Sequence, residues 1–491
     1  MSTENIEKRE FKRELGLLPS TMIVIGSMIG SGIFIVSADI GRTVGSPGYL
    51  LLVWLITGFM TMVGALSYGE LAGMMPHAGG QYVYLREAYN PLTGFLYGWT
   101  LFLVIQTGTI AAVAMAFAKY TSVVIPAVGE GNVLLTVIGL KINAAQILAI
   151  MCVIILTGIN VSGLRMGRLV QNVFTLTKTA ALLGLILLGL IVASNHAAIS
   201  RNFSHMWHPQ WIHYSGNAIT SIQSLSGVMI LAAIGVSMVG SLFSSDAWNN
   251  ITFTAGEVIN PKKNIPLSLA LGTGTVTLLY LLANVAYLTM LPLNGDPGAH
   301  DVMGRGIQFA ENERVATAAA SMIFGAPAVI IMAVFIMVST FGCANGLILA
   351  GARVYYAMAQ HGLFFKRTGQ LNSKSVPAVA LVTQAVWASI LCLSGKYGDL
   401  LNYVIFAVLI FYILTIAGIF ILRKKQPDAE RPYKAFGYPV IPALYILAAA
   451  GICVDLLIFE PDYTWPGLII VLLGIPVYFT WRGKTKLNPP V

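Results

Sequence analysis

Gly26-Ser27-Met28-Ile29-Gly30-Ser31-Gly32-Ile33-Phe34 lies inside the first long apolar run of the chain, Met22 to Ile40. A helix crossing lipid is ordinarily solid Leu, Ile and Val, yet three glycines and two serines stand together here. Each glycine costs roughly 1 kcal/mol against alanine in a helix interior, and in hydrocarbon every freed N–H or C=O needs another partner. The stretch therefore predicts a helix that opens at mid-membrane and presents bare backbone to a polar ligand. A second apolar run, Gly227 to Leu242, meets Phe243-Ser244-Ser245-Asp246-Ala247-Trp248 some 214 residues after the first break. Interrupted helices at corresponding points of two halves are the sequence pattern of a membrane transporter's binding site.

Bulk composition fixes the class. Of 491 residues, 56 % are hydrophobic and only 10 % charged, and mean hydropathy is +0.77, outside the range of soluble domains. Apolar stretches of about 18–25 residues give twelve expected spans, near 17–42, 49–75, 93–118, 143–161, 168–193, 218–252, 265–291, 323–350, 378–394, 398–422, 438–459 and 464–481. The expected fold is an all-α polytopic membrane protein of 12 helices. The first run has no small-residue cleavage site after it and reads as a retained helix rather than a signal peptide. An even number of spans puts both termini on one side. With the N-terminus inside, 21 of the 29 Lys and Arg fall on the cytoplasmic side, 7 fall outside and Lys178 lies within the membrane. That bias predicts both termini in the cytoplasm and a multi-pass protein of the cell's inner (plasma) membrane. The net charge of +9 is then a topology signal and requires no nucleic acid.

Spans 1–5 and 6–10 form two groups of five, each opening on an interrupted helix. An odd number of spans per group inserts the two groups upside down relative to one another, with their breaks meeting near the midplane. The expected organisation is a tail at 1–16, a five-helix repeat over 17–193, an inverted repeat over 218–422, two further helices over 438–481 and a tail at 482–491. Tails of that length hold no signalling domain, and one broken-helix pair lacks the ring of filter residues a channel needs. Cys152, Cys343, Cys392 and Cys453 all fall inside spans and read as packing residues. No loop carries a cysteine to bridge to another chain. The longest loops, 194–217 and 292–322, are expected outside. His205-Met-Trp-His208 in the first has metal-compatible spacing but reads as a solvated loop with interfacial aromatics. With no P-loop, HExxH or dinucleotide fingerprint, no enzyme, metal or cofactor is expected.

If the first helix opens at Gly30-Ser31-Gly32, the outer half starts near Ile33 with unbonded N–H groups and the positive end of its dipole, a carboxylate site. Carbonyls closing the inner half, near Val24 to Ser27, suit an ammonium. One broken helix thus matches the two ends of an α-amino acid. The competing explanation is close helix packing, since Gly26 and Gly30 form a GxxxG pair. At the second break Ser244, Ser245 and Asp246 line the opening and Phe243 is placed to gate it. An acidic residue at that depth is a functional candidate. It is also a candidate N-cap for the half-helix that continues through Trp248-Asn249-Asn250. Lys178, midway along span 5, costs about 2.5–3.5 kcal/mol to insert. It is expected to face the carbonyls of the first break, as a coupling residue or a strut. Glu70, near the inner end of span 2, reads as the partner of a cytoplasmic arginine, and Asn345, in span 8, as helix–helix glue.

These residues resemble the amino acid–polyamine–organocation superfamily, and within it the L-type amino acid transporter family. The resemblance spans nearly the whole chain. It rests on Gly30-Ser31-Gly32-Ile33-Phe34, on 65–85 with Tyr68-Gly69-Glu70 and Gly79-Gly80-Gln81, on 243–250, on 256–266, and on 339–346 with 352–363. It implies a LeuT-type five-plus-five inverted repeat and sodium-independent transport of L-amino acids, usually by obligatory exchange. Carried onto this chain, it implies that Ser31 and Gly32 bind the substrate carboxylate by backbone N–H. Ile25 and Phe243 would offer carbonyls to the ammonium, and Phe243 would gate. Lys178 would match the family's span-5 lysine, standing where a sodium-coupled relative binds Na⁺. Two departures bear on the site. Ser245 replaces an aromatic and enlarges or re-polarises the pocket, and Ala247 replaces a glycine and stiffens the unwound stretch. The loop at 119–142 also lacks the cysteine that animal members use to bridge a glycoprotein heavy chain, which resembles the bacterial, stand-alone branch.

The expected function is alternating-access exchange of neutral L-amino acids. Proton symport through Lys178 or Glu70 is the nearest alternative, and a membrane amino-acid sensor a more distant one.

Overall fold

The computed structural model describes residues 10–137, 140–394 and 397–482. The first nine residues of the expected 1–16 tail, and the 482–491 tail beyond Arg482, lie outside the described residues. The chain opens with α1 (Leu17–Met28), a 3₁₀ turn at Gly32–Phe34 and α2 (Ser37–Val44), followed by α3 (Pro47–Met74), α4 (Gln81–Ala88) and α5 (Pro91–Val124). A short hairpin of β1 (Val133–Val137) and β2 (Leu140–Asn143) precedes α6 (Ala144–Val161), α7 (Leu164–Ile191) and α8 (His196–Ser204). A second hairpin, β3 (Gln210–Ser215) with β4 (Ala218–Ser224), leads to α9 (Val228–Ser244) and α10 (Asn250–Phe253). The remainder is α11 (Pro261–Met290), α12 (Val315–Phe324), α13 (Ala328–Gln360), α14 (Ala378–Ser394), α15 (Tyr397–Lys425), α16 (Val440–Phe459) and α17 (Pro461–Arg482).

Among the described residues nine helices are long and apolar enough to cross a membrane. They fall on nine of the twelve expected spans. The other three expected spans fall on shorter helices: α1 with α2, α9 with α10, and α14. Local chemistry sets the ends. Pro47, Pro91 and Pro261 open α3, α5 and α11, where a missing N–H costs nothing. Asn143 and Gln146 close a reciprocal capping box at the start of α6.

Four expected boundaries are corrected. The span drawn from 218 begins instead at Val228, because Ala218-Ile-Thr-Ser-Ile-Gln-Ser224, exposed and mostly polar, pairs antiparallel with β3 as β4 across a turn at Gly216, φ +58°. The loop drawn at 194–217 holds α8 and β3, and the loop at 292–322 holds most of α12, which Gly325 (φ +63°) separates from α13. α13 also runs on to Gln360, well past the expected end at 350.

α11 lies along α3 and α1, while α13 lies along α5, α7 and α1. The interrupted first helix is therefore enclosed by long continuous ones.

Candidate functional site

α1 stops at Met28 because Ile29 turns extended, φ −75° and ψ 96°, and the chain resumes helical geometry only in the turn Gly32–Phe34. The carbonyls this opening frees are taken up by side chains of the surrounding helices. Lys178 Nζ on α7 donates to Gly26 O at 2.6 Å and Ile29 O at 2.5 Å, and reaches Ser339 O on α13 at 3.2 Å. Ser339 Oγ donates to Gly30 O at 2.8 Å and Cys343 Sγ to Ser27 O at 3.1 Å. Tyr280 Oη on α11 stands 3.2 Å from Met28 O and 3.1 Å from Ser244 O, so one hydroxyl touches both breaks. Lys178 thus meets the first break, as its depth in span 5 requires. Ile25 O accepts the Ile29 N–H at 3.0 Å and keeps one lone pair.

The donor side of the break differs. The 3₁₀ turn is closed by Phe34 N–H to Ser31 O at 3.1 Å and by Ile35 and Val36 N–H to Gly32 O at 2.9 Å. Among the described residues the N–H groups of Gly32 and Ile33 have no backbone acceptor. They are the orphan donors of a helix start, buried in the protein.

At the second break, α9 ends at Ser244, Asp246 N–H donates to Phe243 O at 3.2 Å, and Ala247 sits at φ +64°. For a residue with a Cβ that left-handed conformation costs roughly 1–2 kcal/mol. This is the position where the family resemblance implies a glycine. The two breaks touch: a Cβ on Gly32 would lie 2.0 Å from Ser244 Oγ and 2.8 Å from Ser244 Cβ. Only glycine allows the approach. Gly26 packs just as closely on α7, where a Cβ would lie 2.0 Å from Gln171 Nε2. The small residues therefore serve helix packing and helix opening together.

Asp246 is not the N-cap of the following half-helix. α10 starts beyond it at Asn250, with Asn249 in the cap position and no side-chain cap bond. The Asp246 carboxylate instead accepts the Tyr412 hydroxyl of α15 at 2.5 Å. Tyr412 is held by ring contacts with Trp248 at 5.1 Å and Tyr68 at 5.7 Å. Phe243 is half-buried on the last turn of α9, and Ser245 is buried. Asp246 borders two small cavities, of about 20 and 10 Å³. The larger is lined in part by Gln81, Tyr97, Gln106 and Asn249. Asn249 Nδ2 donates to Gln81 Oε1 at 2.9 Å, and Gln81 Nε2 to Thr415 Oγ1 at 3.0 Å. Tyr412, Gln81 and Gln106 escape a reading of the sequence. Gln106 carries a signal, an amide in the middle of an apolar span. Tyr412 carries none, since its phenol looks like any aromatic of span 10.

Two candidates stand elsewhere. Asn345 donates to Gly167 O at 3.0 Å and Gln171 Oε1 at 2.9 Å and accepts from Asn160 at 2.9 Å, joining α13 to α7 and α6. Glu70 is fully buried in a bidentate pair with Arg423, at 2.9 and 2.7 Å, and accepts the Ala435 N–H at 2.6 Å. All four cysteines are buried free thiols.

The amino acid permease family model matches residues 15–478, almost all of the described bundle. The chain belongs to the amino acid permease family. The human large neutral amino acids transporter small subunit 2 is 30 % identical to this permease over 484 residues, covering 97 % of this chain and 82 % of the relative. The mouse b(0,+)-type amino acid transporter 1 is 29 % identical over 503 residues, covering 100 % and 93 %. The mouse Asc-type amino acid transporter 1 is 28 % identical over 494 residues, covering 98 % and 84 %. The permease is accordingly a multi-pass membrane transporter of the amino acid–polyamine–organocation superfamily, in its L-type branch, and not an enzyme.

Proposed function

We propose that this permease exchanges neutral L-amino acids across the cell membrane by alternating access, without sodium. The observation that carries this is the junction of the two breaks. Where Gly32 meets Ser244, the buried N–H groups of Gly32 and Ile33, without backbone acceptors among the described residues, stand beside the C-terminal end of a second opened helix. In this reading the segment Gly30-Ser31-Gly32 receives the substrate carboxylate on the backbone N–H groups of Ser31 and Gly32, with that of Ile33 beside them. The ammonium faces the remaining lone pairs of the Ile25 and Phe243 carbonyls. Ser244, Ser245 and Asp246 line the side-chain end, and Phe243 gates the outer path. Lys178 supplies, with its own ammonium on Gly26 and Ile29 carbonyls, the positive charge a bound cation would otherwise bring.

The frame for this mechanism is a pair of inverted repeats over 17–193 and 218–422, with 438–481 outside them and both termini cytoplasmic, in a chain that works without a disulfide-linked heavy chain and is able to act as a monomer. The test is uptake of labelled amino acid into proteoliposomes. Exchange requires unlabelled amino acid inside. Uptake into empty vesicles driven by a pH gradient would replace it with proton symport, and binding without flux with a sensor.

A further inference from the structure

We infer that the groove between α6 and α14 holds one anionic glycerophospholipid, with an acyl chain along the groove and its phosphate at the Lys/Arg-rich end of the bundle. The groove encloses about 620 Å³ and is walled by Ile154, Gly158, Val382, Val386 and Ile390, within the volume range of ordinary ligand sites. Gly158 makes it a trough: a Cβ there would meet nothing within 4 Å.

Two polar features distinguish it from a plain lipid-facing crevice. Thr157 lines the groove at 6 % exposure, and its Oγ1 has no hydrogen-bond partner among the described residues. Threonines on the neighbouring helices bond back along their own helix, Thr177 to Val173 O at 2.9 Å and Thr383 to Val379 O at 2.8 Å. A buried hydroxyl left without an acceptor is costly. Oγ1 is closed off in this rotamer, and a turn about χ1 brings it to the groove, where the ester carbonyl of a bound lipid would accept from it.

One helical turn beyond Thr157, about 5.4 Å, α6 ends at Val161. There Asn372 Nδ2 donates to Val161 O at 3.1 Å, and the Lys374 N–H donates to Asn372 Oδ1 at 2.9 Å, fixing that loop against the helix end. The Lys374 stem passes Gly163, with its Cδ 3.6 Å from where a Cβ would be. Arg165 follows on the first turn of α7. Both side chains are exposed, and neither joins an ion pair among the described residues. An apolar channel, an unused donor at ester depth and two unpaired cations at the rim match, in order, the chain, glycerol and phosphate of an acidic lipid.

The experiment measures lipid retained by the purified full-length protein, by native mass spectrometry and thermal shift. The probes are phosphatidylglycerol, phosphatidylcholine of the same chain length, and chain-free glycerol phosphate. The expected result is retention of phosphatidylglycerol over phosphatidylcholine by more than about tenfold, from roughly fivefold per basic residue, with no shift from glycerol phosphate. Arg165→Glu with Lys374→Glu should erase the headgroup preference. Gly158→Leu, whose Cβ meets nothing within 4 Å and whose side chain projects into the trough, should lower retention of both lipids while leaving the lipid-free melting temperature unchanged. Equal retention of the two lipids by the wild type would overturn the proposal. So would a full shift from glycerol phosphate alone, wild-type retention in Gly158→Leu, or a second polypeptide found in the groove in place of lipid.

Discussion

Gly32→Ala places a methyl carbon 2.0 Å from Ser244 Oγ and 2.8 Å from Ser244 Cβ. Rotating the Ser244 hydroxyl away relieves only the first contact and gives up its bond to Gly240 O at 2.7 Å. The two breaks must then separate, carrying the Met28 and Ser244 carbonyls away from their shared Tyr280 hydroxyl. Overpacking of this kind costs about 1–3 kcal/mol. Ser244→Gly removes both offending atoms and leaves only Ser244 Cα, at 3.2 Å. The pair Gly32→Ala with Ser244→Gly should therefore be more stable than the sum of the single effects, by an interaction energy of about 1 kcal/mol or more. Thermal unfolding of the four proteins in one detergent gives that energy, and labelled amino-acid binding gives the functional side. Gly32→Ala alone should weaken binding at least about tenfold, equivalent to 1.4 kcal/mol. Additive stabilities together with unchanged affinity would refute the contact between the breaks as the basis of the site.

Lys178→Met should destabilise the permease by about 1–3 kcal/mol, the cost of leaving a buried acceptor without its donor, because the Gly26, Ile29 and Ser339 carbonyls lose the ammonium that bonds them. A melting temperature equal to the wild type would make the lysine a bystander. Tyr412→Phe should cost about 1.5–3 kcal/mol, the worth of a hydrogen bond to a charged group, and raise KM in uptake assays; an unaltered melt and KM would detach Asp246 from the site. His361, just past the end of α13, is pushed down to about 4 by burial, aided by the charges of Arg86 and His77. Since the unfolded chain binds this proton near 6.5 and the folded chain does not, the contribution of neutral His361 is complete above pH 6.5. It is lost as pH falls through that value toward 4. The melting temperature should fall between about pH 7 and pH 5, and His361→Gln should flatten that slope.

The bundle was legible in the sequence because apolar runs of membrane length record where lipid touches the chain. Both breaks were legible for the same reason inverted: Gly30-Ser31-Gly32 and Ser244-Ser245-Asp246 are unaffordable in an uninterrupted lipid-spanning helix. Less visible was how each break is satisfied. Lys178 was expected at the carbonyls around Gly26 to Gly30, but Ser339, Cys343 and Tyr280 reach them as well from two further helices, a convergence that only tertiary packing decides. Asp246 looked better suited to capping than to ligand contact, and its bond to Tyr412 depends on a facing of α15 that no periodicity in an all-apolar helix reveals. The hairpin β3–β4 was hidden because Ile219 and Ile222 lie only a few residues before the apolar run of α9 and read as its start.

The most direct test of backbone recognition is the position of the substrate carboxylate in a structure of the permease with a bound neutral L-amino acid. It should lie within about 3.2 Å of the Ser31 and Gly32 nitrogens, with Ser244 still against Gly32. A carboxylate bound by a charged side chain away from both openings, or a first helix running unbroken through residues 29–32, would contradict it.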